Sequence, residues 1–381
     1  MSRARMCKGA DGNMGKRLLM LLCMLAVLSG TACAAERDIP AAQSEALDLD
    51  GIQAAGEEWV PGVDLEEGMD LEDGIQAILD TGSGQVSGIL RKALRSGVLL
   101  LAVVLLCGLA EGLYSGVGGG DGPDLVSMVG AMAVAAVAVA DANSLIGMGR
   151  EALENMESFS KLLLPAVTAA AAAAGTPSSA AARQLATMLF SDVLMTVITS
   201  LLLPLLYLYI AACVAYTAVG NEGLKRVAGT IKWVVTVVLS AILILFVSYL
   251  TISGAIAGTA DAATVKAAKF TMSSMVPVVG GILSDAAETV LASAGILKNA
   301  VGVFGMLVVL GMCVAPFLQL GIHYLVYKLT AALSATVSSG RVAGLIDQIG
   351  GAFGLVLGMT GACALLLLIS MVSAVTAATG G

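Results

Sequence analysis

The stretch that decides the fold is AVGVFGMLVVLGMCVAPFLQLGIHYLVY, which runs from Ala300 to Tyr327 without one Asp, Glu, Lys or Arg. A helix needs about 20 apolar residues to cross the hydrocarbon core of a bilayer, and this stretch is longer than that. Inside a membrane, only helices and closed barrels satisfy all the backbone hydrogen bonds of a segment. The stretch therefore predicts a membrane-spanning helix.

Similar stretches recur over most of the chain. Of its 381 residues 58% are hydrophobic and 13% are charged, against about 25% charged in an average soluble domain. The clearest predicted spans are Gly97–Tyr114, Leu125–Ala140, Val193–Val219, Trp233–Gly258, Ala300–Tyr327 and Ala352–Thr376. We expect an all-α polytopic membrane protein. Its bundle of about six to seven spans would hold one re-entrant or broken-helix segment and follow a short acidic extracytoplasmic region.

The segment Leu162–Ala182 leaves the span count open. It contains the alanine run Ala169–Ala174, followed by the breaker sequence Gly175–Ser179. Small side chains let helices approach closely in lipid, so the segment could be one tightly packed span. It could also be a hairpin that enters and leaves the same face, broken at Gly175–Ser179. We favour the hairpin, because it places the basic segment around Lys225 in the cytoplasm.

Between the second span and the alanine segment lies Gly147–Lys161, which carries five charged side chains. Its polarity predicts a loop or a surface helix. Four further acids flank or enter apolar spans and are expected at membrane interfaces, where hydration removes most of the cost of burying a charge. They are Glu111, Asp141, Asp192 and Asp261.

The N-terminus has the pattern of a secretory signal peptide over residues 1–35. A basic start precedes the short apolar stretch Leu18–Leu28, and Ala32-Cys33-Ala34 provides a small-residue cleavage site. A lipoprotein would use Cys33 as the lipid acceptor, but Gly30 stands where a Leu-like residue is expected. We therefore expect ordinary cleavage near Ala34.

Residues 36–90 are predicted to be an acidic extracytoplasmic segment, and residues 91–381 the multi-spanning membrane domain. From Glu36 to Asp80 there are fourteen acidic residues and one basic residue, a net charge of −13, whereas the chain from Arg91 onward has +1. Such an acidic segment repels nucleic acid, so no nucleic-acid partner is expected. An EF-hand-like match places Ala46 at the first ligand position, so we interpret the segment as a solvated acidic linker.

Catalytic and metal-binding motifs are missing from the sequence. The chain has no CxxC pair, and its single histidine is His323, so a zinc site is not expected. No GxxxxGK[ST], GxSxG or HExxH motif occurs. We expect a protein that is not an enzyme and that holds no metal and no cofactor. His323 is expected to be a structural, hydrogen-bonded residue, with a proton-relay role as the alternative.

Residues 261–305 contain a predicted break in the helical pattern. Pro277 lacks an amide hydrogen and Gly280-Gly281 add backbone freedom, so a straight helix through 275–282 is not expected. Ser284 has the character of an N-cap for a following amphipathic helix. The segment is either a structured loop that joins two spans or an element that lines a pore or docks a partner.

This block resembles the most characteristic part of the stage III sporulation protein AE family of endospore-forming bacteria. The matching positions are Lys266, Lys269, Phe270, Pro277, Val278, Val279, Gly280, Lys298, Asn299 and Gly302. The layout of signal sequence, short extracytoplasmic segment and apolar body is similar too. The resemblance covers about residues 90–375, and the acidic segment matches poorly.

The resemblance implies a structural or permease-like, non-catalytic component of the channel-like, secretion-like complex that joins mother cell and forespore after engulfment. It places the chain in the mother-cell membrane around the forespore, among other membrane proteins of the same complex, including an ATPase, and allows a homo-oligomer. Two alternatives remain open. One is a self-sufficient secondary transporter, although residues 97–376 show no convincing repeat; the other is a membrane scaffold without a pathway.

Overall fold

The computed structural model describes residues 48–61, 71–116, 125–275, 280–337 and 340–376. Between residues 253 and 290 it describes the backbone alone. The signal peptide and Pro277, Val278 and Val279 lie outside the described residues.

Within these ranges the chain forms eight α-helices and no strand. They are α1 Leu49–Glu57, α2 Leu71–Gly116, α3 Leu125–Ala173, α4 Pro177–Val197, α5 Leu203–Val219, α6 Glu222–Met275, α7 Gly280–Ser334 and α8 Gly340–Thr376. A π-helical segment, Ile198–Leu202, joins α4 to α5 directly. It precedes Pro204, whose missing amide hydrogen is one of the ordinary causes of a change in helical winding.

Six of the described segments are long and apolar enough to cross a membrane. They are Glu72–Ala110, Met128–Ala173, Pro177–Val219, Glu222–Ile252, Leu291–Ser334 and Gly340–Val375. The predicted fold class, an all-α polytopic membrane protein with about six to seven spans, is confirmed.

Two local predictions in the first half of the chain need correction. Gly147–Lys161 is helical with an exposed polar side, as one of the two predicted alternatives had it, but it is not a separate element, because α3 continues through it from Leu125 to Ala173. Leu162–Ala182 is neither a separate span nor a separate hairpin, because its two parts end α3 and begin α4. The break itself lies where it was expected: Gly175 has φ 92°, and Pro177 occupies the first turn of α4, where a proline is tolerated.

The predicted break near Pro277 falls on residues 276–279, outside the described residues, and stays a prediction. Helix α6 is described up to Met275 and α7 from Gly280. Ser284, expected as an N-cap, lies inside α7, so that local prediction was wrong.

The core of the bundle is the hairpin of α7 and α8, which pack on each other more extensively than any other described pair of helices. Helix α2 runs along α7 in the same direction: Gly74 lies beside Leu307, Gly82 beside Val314, and Gly97 beside Val326. Helix α2 passes the predicted domain boundary at residue 90 without a break, and the division into an extracytoplasmic segment and a membrane domain stays a prediction.

Helix α1, in the acidic segment, packs against α7. Ile52 is fully buried, and a Cβ on Gly56 would overlap the side chains of Phe304 and Val308. The backbone carbonyl of Trp59 lies against Gly311 of α7. Part of the acidic segment is therefore held on the bundle by apolar contacts, with its carboxylates outward.

Basic side chains gather at one end of the bundle, which we call the basic end. Gly97 of α2 lies beside Val326 and Thr330 of α7, which brings the preceding turns of α2 level with the turns of α7 just before Lys328. Gly220, before α6, lies beside the guanidinium of Arg341 in α8. The basic end comprises Arg91, Lys92, Arg95, Lys225, Arg226, Lys232, Lys328 and Arg341.

The docking of α1 can be tested with Ile52→Ala. Deleting a buried isoleucine side chain down to Cβ costs about 2–5 kcal/mol, so the variant should release α1 from α7. We expect faster cleavage after Glu57 or Glu58 by a glutamate-specific protease acting on membranes that carry the full chain. Ala54→Ser, on the exposed face of α1, is the matched control and should behave as the wild type. Equal cleavage of all three chains would contradict the docking.

Candidate functional site: the Lys298 junction and the polar face

The first candidate site, the Lys298 junction, consists of Lys298 and Gly302 in α7 and Val375 in α8. Lys298 is fully buried, and its Nζ donates a hydrogen bond of 3.1 Å to the carbonyl oxygen of Val375. Gly302 lies one helical turn further along, where a Cβ would overlap the side chain of Val375. One residue therefore supplies a donor, and the other supplies the space that lets the helices meet.

The position of Val375 explains why a lysine is suited to this place. Val375 is next to the last residue of α8, and the last carbonyls of a helix have no partner within the helix. Lysine side chains near a helix C-terminus satisfy such carbonyls and interact favourably with the negative end of the helix dipole. Lys298 thus caps α8 from a neighbouring helix.

Of the members of the family block whose side chains the structure describes, Lys298 and Gly302 lie at this junction. Asn299, adjacent to Lys298, is exposed on the outer side of α7. Gly280 is the first residue of α7, and Lys266, Lys269 and Phe270 lie on α6 where the backbone alone is described. Whether the whole block forms one pore-lining or partner-docking element stays a prediction.

A buried arginine lies near this junction, and our sequence analysis did not single it out. Arg183 of α4 is 4% exposed, and its Nη2 donates to Ser179 Oγ at 3.1 Å. One turn further, the hydroxyl groups of Thr187 and Ser370 hydrogen-bond to each other across α4 and α8. A cavity of about 10 Å³, enough for about one water molecule, lies between α3, α4 and α8 beside Arg183. The sequence did contain a feature that could have identified it: Arg183 is the only charged residue between Lys161 and Asp192.

A second polar junction lies towards the basic end. Tyr327 is fully buried, and its hydroxyl donates to Asp141 Oδ2 at 2.8 Å, which ties α7 to α3. Lys328 Nζ lies 2.6 Å from Asp347 Oδ1 and ties α7 to α8. Asp141 is therefore a partner of a buried tyrosine. These residues hold three helices in register.

His323 is buried within this end of α7. Its Nδ1 lies 2.8 Å from the carbonyl oxygen of Gln319 one turn earlier, and its ring packs edge-on against Phe353 of α8 at a centroid distance of 6.4 Å. These contacts fit the structural role expected for His323.

The second candidate site is a polar stripe along α3. The exposed positions between residues 143 and 161 repeat every three or four residues, which places them on one side of the helix. None of them carries a large apolar side chain. The stripe comprises Asn143, Ser144, Gly147, Arg150, Glu151, Glu154, Ser158 and Lys161.

The stripe lies level with the apolar centres of α7 and α8. The sulfur atoms of Met156 and Cys313 are 4.0 Å apart, Leu163 packs against Gly305, and Gly149 lies beside Val356 of α8. Helix α3 is displaced lengthwise, since its apolar first part lies beyond the basic end, with Gly130 beside Cys107 and Val342. This offset brings the polar middle of α3 to the depth at which its neighbours are most apolar.

Carboxylates of α1 and α2 lie at the same depth, because Gly56 and Gly74 face residues 304–308 of α7 and Gly82 faces Val314. Together with the stripe they form what we call the polar face. Its exposed acids outside α3 are Asp50, Glu57, Glu58, Glu72, Asp73 and Asp80. With Glu151, Glu154 and Glu157 the polar face has nine carboxylates against two cations, Arg150 and Lys161, a net charge of −7.

The outer side of α6 has the opposite character at this depth. Helix α6 packs mainly on α4 and α5, and Phe246 contacts Phe190 of α4 with ring centroids 5.5 Å apart. Its exposed side chains around Phe246 are uncharged, and the large ones are mostly apolar: Val237, Ile244, Leu245, Val247 and Ile252, together with Tyr249. One side of the bundle therefore suits lipid, and the polar face does not.

Within the described part of the chain, no three His, Cys, Asp or Glu side chains gather closely enough to hold a metal ion. The arrangement at both junctions fastens helices together, and the polar face offers a surface that water can solvate.

Comparison with known proteins assigns the family. The family model of stage III sporulation protein AE matches residues 66–379. The chain belongs to this family. A curated relative, stage III sporulation protein AE of Bacillus subtilis (strain 168), is 24% identical over 204 residues, which are 54% of this chain and 51% of the relative. The chain thus spans about half the length of the curated relative it matches. No solved structure matches the chain.

The close approach at the Lys298 junction can be tested with two matched glycines of α7. Gly302→Ala should destabilise the protein by about 1–3 kcal/mol, because the added methyl group overpacks the contact with Val375. Gly295→Ala, where a Cβ meets open space, should be neutral or stabilise by up to about 1 kcal/mol. Thermal unfolding of the full chain in detergent measures both. Equal midpoints for the two variants would refute the close approach.

Proposed function

We propose that this family member is a structural or permease-like, non-catalytic component of the assembly that joins mother cell and forespore after engulfment. Family membership over residues 66–379 supports a role in sporulation. The conduit part of the proposal rests on one observation. At the same depth along the bundle, α6 exposes apolar side chains, whereas α1, α2 and α3 expose charged ones. A bundle of this kind suits the wall of an assembly, with lipid on one side.

The proposed partners are other membrane proteins of the same complex, including an ATPase, and further copies of the chain. The proposed location is the mother-cell membrane around the forespore. Energy for transport would come from such a partner, since the polar junctions of the described residues fasten helices and carry no nucleotide-binding motif.

We place the basic end in the cytoplasm of the mother cell. Cytoplasmic loops and span ends carry an excess of Lys and Arg. Helix α2 reaches the basic end from the opposite side of the membrane, so this orientation puts the chain before α2 outside, as the signal peptide and acidic segment require. Arg91, Lys92 and Arg95 lie at the basic end and agree with this orientation.

Deleting the gene tests the proposed function. We expect sporulating cells to complete engulfment and then arrest, and a wild-type copy at a second locus to restore spore formation. Spore counts and membrane-dye microscopy are the measurements. Normal spore yield from the deletion strain would reject the proposal.

Reporter fusions test the orientation. A cytoplasm-active reporter fused after Asn221 or after residue 338 should be active, whereas the same reporter fused after Pro177 should be silent. A reporter that is active only outside the cytoplasm should give the opposite pattern, and the reverse result for both reporters would invert the orientation.

A further inference from the structure

Resting on the conduit function proposed above, we propose that the polar face of α1, α2 and α3 lines a water-filled pathway in the assembled complex and favours cations over anions. Two members of the family block, Lys298 and Gly302, serve helix packing. The proposed pathway lies elsewhere, on the middle of α3, where the sequence predicted a loop or a surface helix, and on parts of α1 and α2 within the predicted acidic segment.

Depth is the first argument. The stripe of α3 lies beside residues 305–313 of α7 and 356–360 of α8, in the middle of their apolar stretches. Ionisable side chains at this depth face the bundle interior or a water-filled cavity. Arg150, Glu151 and Glu154 are exposed, so they do not face the interior of this bundle. Because lipid would not solvate these charged side chains, we infer that they contact water outside the bundle.

The ion pairs of the stripe are the second argument, and they favour water over a docked apolar partner. Arg150 Nε lies 2.8 Å from Glu154 Oε1, and Lys161 Nζ lies 2.6 Å from Glu157 Oε1, both with the spacing i, i+4. Such pairs on one helix are typical of solvent-exposed helix surfaces. The other exposed residues of the stripe are asparagine, serine, glycine and glutamate, and they offer no apolar anchor to a partner helix.

Net charge gives the selectivity. The polar face has a net charge of −7, and its carboxylates come from three helices at one depth. A cleft lined by one sign of charge concentrates ions of the opposite sign, and acidic linings are characteristic of cation-conducting channels. The proposed pathway therefore takes cationic solutes and disfavours anionic ones.

Substituted cysteines test the proposal in the full chain. Ser144→Cys, Gly147→Cys and Ser158→Cys report on the stripe, Ile244→Cys and Leu245→Cys on the apolar side of α6, and Leu153→Cys on the buried side of α3. Membranes from sporulating cells are opened by sonication and treated with cationic and anionic thiosulfonates of similar size. Mass spectrometry of each reporter peptide distinguishes the introduced thiol from the native ones, and the amount of full-length chain in the membrane fraction shows that each variant is stably inserted.

We expect the stripe cysteines to react at least about tenfold faster than those of α6, because the thiolate is the nucleophile that attacks the thiosulfonate sulfur and expels sulfinate, and thiols ionise in water but not in lipid. Leu153→Cys should stay unreactive. Slow reaction along the stripe would overturn the proposal, because lipid or a partner would then cover it. Equal reaction on the stripe and on α6 would also overturn it, because that depth would then lie outside the membrane.

Charge selectivity has its own readout. At Ser158→Cys the cationic reagent should react about tenfold faster than the anionic one, after correction for the same ratio with a free thiol in solution. Adding Glu151→Gln should lower this ratio, whereas Asn143→Gln, on the same stripe, should leave it unchanged. A corrected ratio of one would refute the cation preference. Labelling is independent of the arrest of the deletion strain, so the two proposals can fail separately.

Discussion

The bundle depends on the contact between α7 and α8. Two lysines of α7, one near each end of the contact, bind to α8. Lys298 reaches the last turn of α8, and Lys328 pairs with Asp347 in its first turns. In lipid the hydrophobic effect does not drive helices together, so close packing and hydrogen bonds between helices must hold them. Glycines of α8 provide that packing: Gly354 lies against the ring of Tyr324 and Gly361 against the ring of Phe317.

The other helices add to this hairpin in two different ways. Helices α4, α5 and α6 present largely apolar outer surfaces, and α4 and α6 meet through aromatic contacts such as that between Phe190 and Phe246. Helix α1, the first part of α2 and the middle of α3 carry exposed charged side chains, whereas the second part of α2 and the first part of α3 expose apolar ones such as Leu106 and Val129. The bundle therefore has two unlike flanks around one common core.

The sequence predicted the fold class and most spans, because runs such as Ala300–Tyr327 signal their environment without reference to the rest of the chain. It did not predict the continuity of α3. The polar residues 147–161 are typical of a loop when each segment is assigned by its own hydropathy, and only contacts such as Met156 with Cys313 reveal that α3 is displaced along its neighbours.

The Lys298 junction shows a different limit of sequence reasoning. The resemblance marked Lys298 and Gly302 as characteristic, but their partner, Val375, is more than 70 residues away and contributes a backbone carbonyl. A valine in the sequence does not indicate that its backbone carbonyl accepts a hydrogen bond from a lysine on another helix. The role of Arg183 could have been predicted from the sequence, because a single charged residue in a long apolar segment is expected to be functional or paired.

The apolar stretch of α7 has a consequence for the membrane that surrounds it. Its 28 residues between Ala300 and Tyr327 span about 42 Å as a helix, whereas a typical hydrocarbon core is about 30 Å thick. Such hydrophobic mismatch is relieved by tilting the helix or by thickening the bilayer around it. Because α8 is fastened to α7 near both ends, the two helices must tilt as one unit, and the protein will accumulate where the lipid is thickest.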